Sequence, residues 1–157
     1  MMTTNPFKIK KFVDSVSDRI EKIKNRVTLP FKNHNIIASG IIPYFIKDGK
    51  KYILLLRNDS SGEYEDFGGK VEKIDETIFH TAQRECKEES ENILELKVDE
   101  KTEHHLTVNS TYLVFFLKVE EALCRKVVDK VHSKLFYARE INPKITNFRI
   151  RSVVKQK

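Results

Sequence analysis

Between residues 8 and 27 the apolar positions Ile9, Val13, Val16, Ile20, Ile23 and Val27 recur at alternating spacings of four and three, which aligns them along one side of a helix. The spacing predicts an amphipathic helix that ends near Pro30 and carries Lys and Arg on its other faces. Its seam falls short of the roughly three or four heptads of a coiled coil. Its expected use is packing on the body of the protein or on a second copy, as in a homodimer. Contact with a membrane surface or nucleic acid is the alternative.

The pattern then changes. Residues 35–46 and 51–57 are rich in Ile, Leu, Tyr and Phe and are separated by Lys47-Asp48-Gly49-Lys50, which reads as a strand, a tight turn and a returning strand. Residues 58–65 have the composition of a surface loop, and the short run 66–71 leads into a helix expected over 77–90. Further strands are expected at 93–98, 104–108 and 112–119, the last being the strongest apolar run in the chain. Residues 120–130 read as a loop or a short helix and 134–138 as one more strand. Residues 146–154 read as a closing helix capped by Thr146 or Asn147. Strands before and after one central helix, with helices at the ends, predict an α/β or α+β sandwich. A length of 157 residues suits one such domain over 34–157, preceded by a helix and linker over 1–33.

The central helix carries the candidate chemistry. At about 100° per residue, with Ala82 as zero, Ile78, Cys86 and Phe79 fall near −40°, +40° and +60° and form one core-facing stripe. Glu85, Glu88 and Glu89 fall near −60°, −120° and about −20°, so they do not lie opposite the stripe as a merely solvated face would. Carboxylates converging beside a core repel one another and resist desolvation unless something positive lies between them. A hard cation with oxygen ligands, Mg²⁺ or Mn²⁺, meets that need. The alternative is a Glu-rich helix laced by salt bridges, with Arg84 and Glu88 as one available pair. Upstream, Gly68-Gly69 offers backbone with no Cβ, which can approach a ligand closely.

Charge adds a second layer. The total is +6, yet residues 1–33 hold eight Lys/Arg against three acids and 139–157 hold six against one, while 34–138 hold fifteen against nineteen. An acidic centre between basic ends suits cations at the centre and a polyanion such as RNA at the ends. The 39% hydrophobic content with 10 Phe and 5 Tyr excludes wholesale disorder. The longest apolar region, 36–46, is too short to cross a bilayer. Cys86 and Cys124 have no second Cys or His at metal-ligand spacing, so free thiols in a reducing compartment are expected. Together these features predict a soluble, intracellular, cytoplasmic protein.

The stretch 69–93, GKVEKIDETIFHTAQRECKEESENI, resembles the box of the Nudix hydrolase family: G, five residues, E, seven residues, then R-E-U-x-E-E-x-G-U with U apolar. Glu76, seven intervening residues and Arg84-Glu85-Cys86-Lys87-Glu88-Glu89 match. Two departures stand beside the match. Six residues rather than five separate Gly69 from Glu76, and the glycine after the Glu pair is missing, with Asn92 expected to take its left-handed conformation.

The resemblance implies a mixed β-sheet flanked by helices. It also implies metal-dependent hydrolysis of a pyrophosphate bond in a nucleoside diphosphate linked to another moiety. Glu85, Glu88 and Glu89 would bind the metals with the Gly69 or Gly68 carbonyl as a further ligand, and Arg84 and Glu76 would orient the cluster. Cations held there would neutralise the diphosphate and activate water for attack at phosphorus. The general base is open among Glu85, Glu103, Glu120 and Glu121, and Arg57 and Lys70 are candidates for phosphate contact.

His104 and His105 are adjacent on a strand and point apart, so they do not share a metal; His80 reads as helix surface. An RNA 5′ end or cap, or an inositol pyrophosphate, is the alternative substrate. A non-catalytic nucleotide- or RNA-binding module is the alternative of a different class.

Overall fold

The computed structural model describes residues 36–102, 105–108 and 110–138. The expected helices over 8–27 and 146–154, the segment 1–33, Glu103 and His104 lie outside the described residues.

Strands β1 (Ala38–Lys47) and β2 (Lys50–Arg57) form the expected hairpin, in register from Lys47↔Lys50 to Tyr44↔Ile53. Asp48 and Gly49 at its tip have φ of 53° and 75°, the left-handed geometry that a two-residue hairpin loop requires. Beyond Tyr44 the two strands part, and the chain returns to fill the gap. β3 (Tyr64–Glu65) pairs with the end of β2, and β4 (Phe67–Lys70) pairs with the first half of β1. The expected loop over 58–65 therefore ends in a short strand. β6 (Tyr112–Lys118) lies parallel to β1 along its other edge, with β5 (His105–Val108) antiparallel outside it. β7 (Ser133–Tyr137) pairs with β2. Among the described residues this makes one seven-stranded mixed sheet.

Side chains alternate across the sheet. Ile41, Phe45, Leu54, Leu113 and Phe115 face one core, and Ile42, Tyr44, Ile53, Leu55 and Val114 face a second on the other side. The first core is covered by α1 (Ile78–Glu89), which buries Ile78, Ala82 and Cys86 completely. Cys124 and Val127 of α2 (Glu121–Lys130) also pack there, and α2 resolves the loop-or-helix alternative for that segment. Both cysteines are free and buried. No helix among the described residues is long and apolar enough to cross a membrane.

The start of α1 is fixed by Thr77, whose hydroxyl accepts from the His80 N–H at 3.1 Å. Its end turns through two left-handed residues, Glu91 (φ 52°) and Asn92 (φ 70°), with the Asn92 N–H returning to the Lys87 carbonyl at 2.8 Å. Asn92 thus takes the role that glycine more commonly fills.

The strand expected at 93–98 is absent. Leu94 and Val98 are buried at alternating positions, but their N–H groups go to Ser90 Oγ and Gln83 Oε1, each at 2.9 Å. Side chains from α1 and its cap take up these donors in place of a ladder, so the period reports burial without a sheet partner.

Candidate functional site

Arg84 organises the region where α1 crosses β4. Its Nε and Nη2 donate to the two carboxylate oxygens of Asp75 at 2.8 and 2.9 Å, and Nη2 also reaches the Lys70 carbonyl at 3.1 Å. Nη1 turns the other way, to Glu85 at 3.1 Å and Glu88 at 3.2 Å. One planar guanidinium therefore ties the loop, the end of β4 and two helix carboxylates together, which its rigid fork of donors allows.

Asp75 is wholly buried and closes its own turn, accepting from the Glu72 N–H at 2.9 Å and the Thr81 hydroxyl at 2.8 Å. Burial pushes its pKa up, but the bonds from Arg84, Glu72 and Thr81 outweigh burial and hold it below the usual carboxylate value. Arg84 is correspondingly pushed up, chiefly by Asp75. Glu76 is exposed, and the buried carboxylate that takes the bidentate bond of Arg84 is its neighbour Asp75. Five residues separate Gly69 from Asp75, so the extra residue of this loop falls after the acid that orients Arg84 and not before it.

Gly69 seats Glu85. A Cβ built on Gly69 would stand 2.4–2.6 Å from the Glu85 carboxylate, closer than any side chain tolerates, so only glycine lets this helix acid settle on β4. Glu85 is 12% exposed. Burial raises its pKa, Arg84 opposes, and Glu88 and Glu89 add to the rise. Glu89 is raised too, by desolvation first and then by Glu65, Asp66 and Glu88. Glu88 projects outward with 58% exposure.

The residues suit a hard divalent cation. The donors are all oxygen, and two of the carboxylates sit where negative charge is disfavoured, a condition that a cation relieves. Among the described residues no three acids or histidines already form a closed cage. Mg²⁺ does not need one, since it keeps several waters and typically takes one or two carboxylates together with substrate phosphates.

Other expected residues stand elsewhere. Leu54 and Leu56 of β2 face α1 whereas Ile53 and Leu55 face away; by alternation Arg57 follows the latter, and its guanidinium pairs with Asp59 at 3.2 Å. Lys70 likewise alternates away from Glu85, although its carbonyl holds Arg84. Glu121 bonds Lys47 at 3.3 Å, at the far end of β1 from the Ser39↔Gly69 pair, about 25 Å away at the usual rise per residue. That distance removes Glu121 and its neighbour Glu120 as general bases. His105 is exposed. His80 lines a groove of about 650 Å³ along the outer face of α1, with Ile74, Gln83, Lys87 and Leu96, and the groove shares Arg84 and Glu88 with the carboxylate cluster.

Sequence reasoning passed over two acids. Asp75 sits at the spacing of the motif but beside a more conventional Glu. Asp66, only 2% exposed, accepts from the Tyr112 hydroxyl at 2.8 Å; its signal was a charged residue directly before the buried Phe67 of β4.

No protein-family model matches the sequence, and no curated protein matches it. Solved structures do. The chain is similar to an Ap4A hydrolase from C. elegans, with 19% identity over 77% of this chain and 95% of that one, at a TM-score of 0.50. It is also similar to NrtR from Shewanella oneidensis, with 11% identity over 77% of this chain and 62% of that one, at a TM-score of 0.54. NrtR complexed with a 27mer DNA aligns at 10% identity over 76% and 60%, with a TM-score of 0.50. The chain thus spans about three fifths of the NrtR chains. These likenesses establish the fold, the Nudix-type arrangement of mixed sheet and flanking helices that the sequence motif implied.

Proposed function

We propose that this chain, with a Nudix fold, hydrolyses a pyrophosphate bond in a nucleoside diphosphate linked to another moiety. The observation that carries the reading is the split engagement of Arg84. One side of its guanidinium is anchored on buried Asp75, and the other holds Glu85 and Glu88 side by side next to Gly69. Glu85, Glu88 and Glu89 are the residues to hold Mg²⁺ or Mn²⁺, with the Gly69 carbonyl as a further donor. The cations would neutralise the diphosphate and make water acidic enough to attack phosphorus.

The protein supplies position. Asp75 fixes Arg84, Arg84 fixes the rotamers of Glu85 and Glu88, and Gly69 fixes the depth at which Glu85 sits. Glu85, seated against Gly69 within the cluster, is the residue to take up the proton of the attacking water. The groove along α1 provides room beside the cluster for the moiety beyond the diphosphate.

The test is turnover of a panel comprising ADP-ribose, dinucleoside polyphosphates, nucleoside triphosphates, inositol pyrophosphates and capped RNA, with Mg²⁺ or Mn²⁺. A Glu88→Gln, Glu89→Gln protein serves as the control. Metal-dependent turnover that disappears in the control supports the proposal; no turnover of any member overturns it.

A second reading, a nucleic-acid-binding module, draws on the fold likeness to NrtR, which is seen complexed with DNA, and on the basic ends of this chain. It predicts cation-independent RNA or DNA binding that weakens steeply with salt.

A further inference from the structure

Gly68 and Gly69 lie in β4 between two carboxylates on opposite faces of the sheet. On the α1 face, the Glu85 carboxylate rests on Gly69. On the other face, Asp66 Oδ2 lies 2.6 Å from where a Cβ of Gly68 would stand and 2.1 Å from that of Gly40, its cross-strand neighbour. Side chains at either glycine would expel the Asp66 carboxylate, so the paired glycines create the space it fills. A carboxylate that is 98% buried is costly unless it is bonded. Tyr112, the first residue of β6, supplies such a bond at 2.8 Å.

Three strands converge on Asp66, which directly precedes β4: β4 through Gly68, β1 through Gly40, and β6 through Tyr112. Asp66 and Glu85 are thus packed against adjacent residues of one strand, with only the backbone of Gly68-Gly69 between them.

We infer that Asp66, held by Tyr112, is a positioning residue of the cation site. Acting through the thin Gly68-Gly69 strand, it fixes the seat of Glu85 and adds negative charge behind it. The inference rests on the metal-dependent reading above. Asp66 touches neither the cations nor the substrate; it belongs to the outer layer of groups whose loss lowers metal affinity while the ligands remain in place.

The test is direct binding of Mn²⁺ to the full chain without substrate, read from the free-ion EPR signal, in wild type, Asp66→Asn and Tyr112→Phe. Asp66→Asn keeps the shape and removes the charge; Tyr112→Phe leaves the charge and removes the bond that holds it. The expected result is a rise of about 10-fold in Mn²⁺ Kd for Asp66→Asn and a smaller rise for Tyr112→Phe, with both apoproteins folded by circular dichroism. If Asp66→Asn does not fold, Tyr112→Phe carries the test alone: a weakened Kd supports the inference and an unchanged one overturns it. Wild-type Kd values in both folded variants, even with a lowered Tm, would overturn it by showing a purely structural pair. Failure of the wild type itself to bind Mn²⁺ would overturn the metal-dependent reading, an outcome distinct from loss of the inference alone.

Discussion

Asp75 and Glu85 are both carboxylates shielded from solvent, and both are bonded to Arg84, yet they are pushed in opposite directions. Asp75 receives four donors, two from Arg84 and one each from Glu72 and Thr81, and ionises more readily than a free carboxylate. Glu85 shares one guanidinium nitrogen with Glu88, faces a second negative neighbour in Glu89, and ionises less readily. The same cation satisfies one acid and leaves the other in need of positive charge. One side of a single side chain thus holds a satisfied acid and the other an unsatisfied one, and acids of the second kind cluster at functional sites.

The largest effect should come from breaking the satisfied side. Asp75→Ala leaves Arg84 buried without its main partner and should cost about 3 kcal/mol of stability, the low end for a broken buried pair because Glu85, Glu88 and the Lys70 carbonyl remain; urea denaturation measures this. The depressed pKa of Asp75 sets the pH dependence. Its contribution is fully present above the unfolded carboxylate pKa of about 3.9 and is lost as pH falls through the lower folded value. The gap between wild type and Asp75→Asn should therefore narrow below about pH 4, and a gap that widens there would contradict the assignment.

Breaking the needy side should do the reverse. Glu85→Gln should reduce kcat/KM by about 100-fold or more, roughly 3 kcal/mol of barrier, while the Tm of the apoprotein stays the same or rises because a disfavoured charge is removed. A large fall in Tm would mean that Glu85 holds the fold as Asp75 does.

The smallest effect sharpens the comparison by its absence. Glu76→Gln, at an exposed position, should change stability by no more than about 0.5 kcal/mol and leave activity within a few-fold. A loss comparable to that of Asp75→Ala would return the orienting role to Glu76.

What the sequence revealed follows the range over which each cause acts. The hairpin with Asp48-Gly49 at its tip and the stripe Ile78, Ala82, Cys86 are set by contacts within a few residues, and both could be read directly. Helical pitch likewise puts Glu85 beside the buried stripe, where it is 12% exposed, while Glu88 projects outward at 58%. The choice between Asp75 and Glu76 could not be read, because it depends on the turn in which the Glu72 N–H meets Asp75. The distance of Glu121 from the cluster, the face taken by Arg57 and the meeting of Asp66 with Tyr112 depend on which strands become neighbours, and alternation along one strand carries no record of that. Residues 93–98 show the converse error, in which a run read as a strand is buried without a sheet partner.

The neighbours of β1 have a consequence for assembly. Its parallel partner β6 lies 74 residues downstream, as the bond from Ser39 Oγ to the Leu113 carbonyl marks, and contacts of such long loop closure form late in folding. The sheet edge on which β4 lays Gly69 is stabilised by that pairing. A nascent or truncated chain ending before β6 would already contain every residue of the glutamate motif, with β1 and β4, and still lack the strand that flanks the other edge of β1. Burst-phase helix content in refolding should therefore precede recovery of activity.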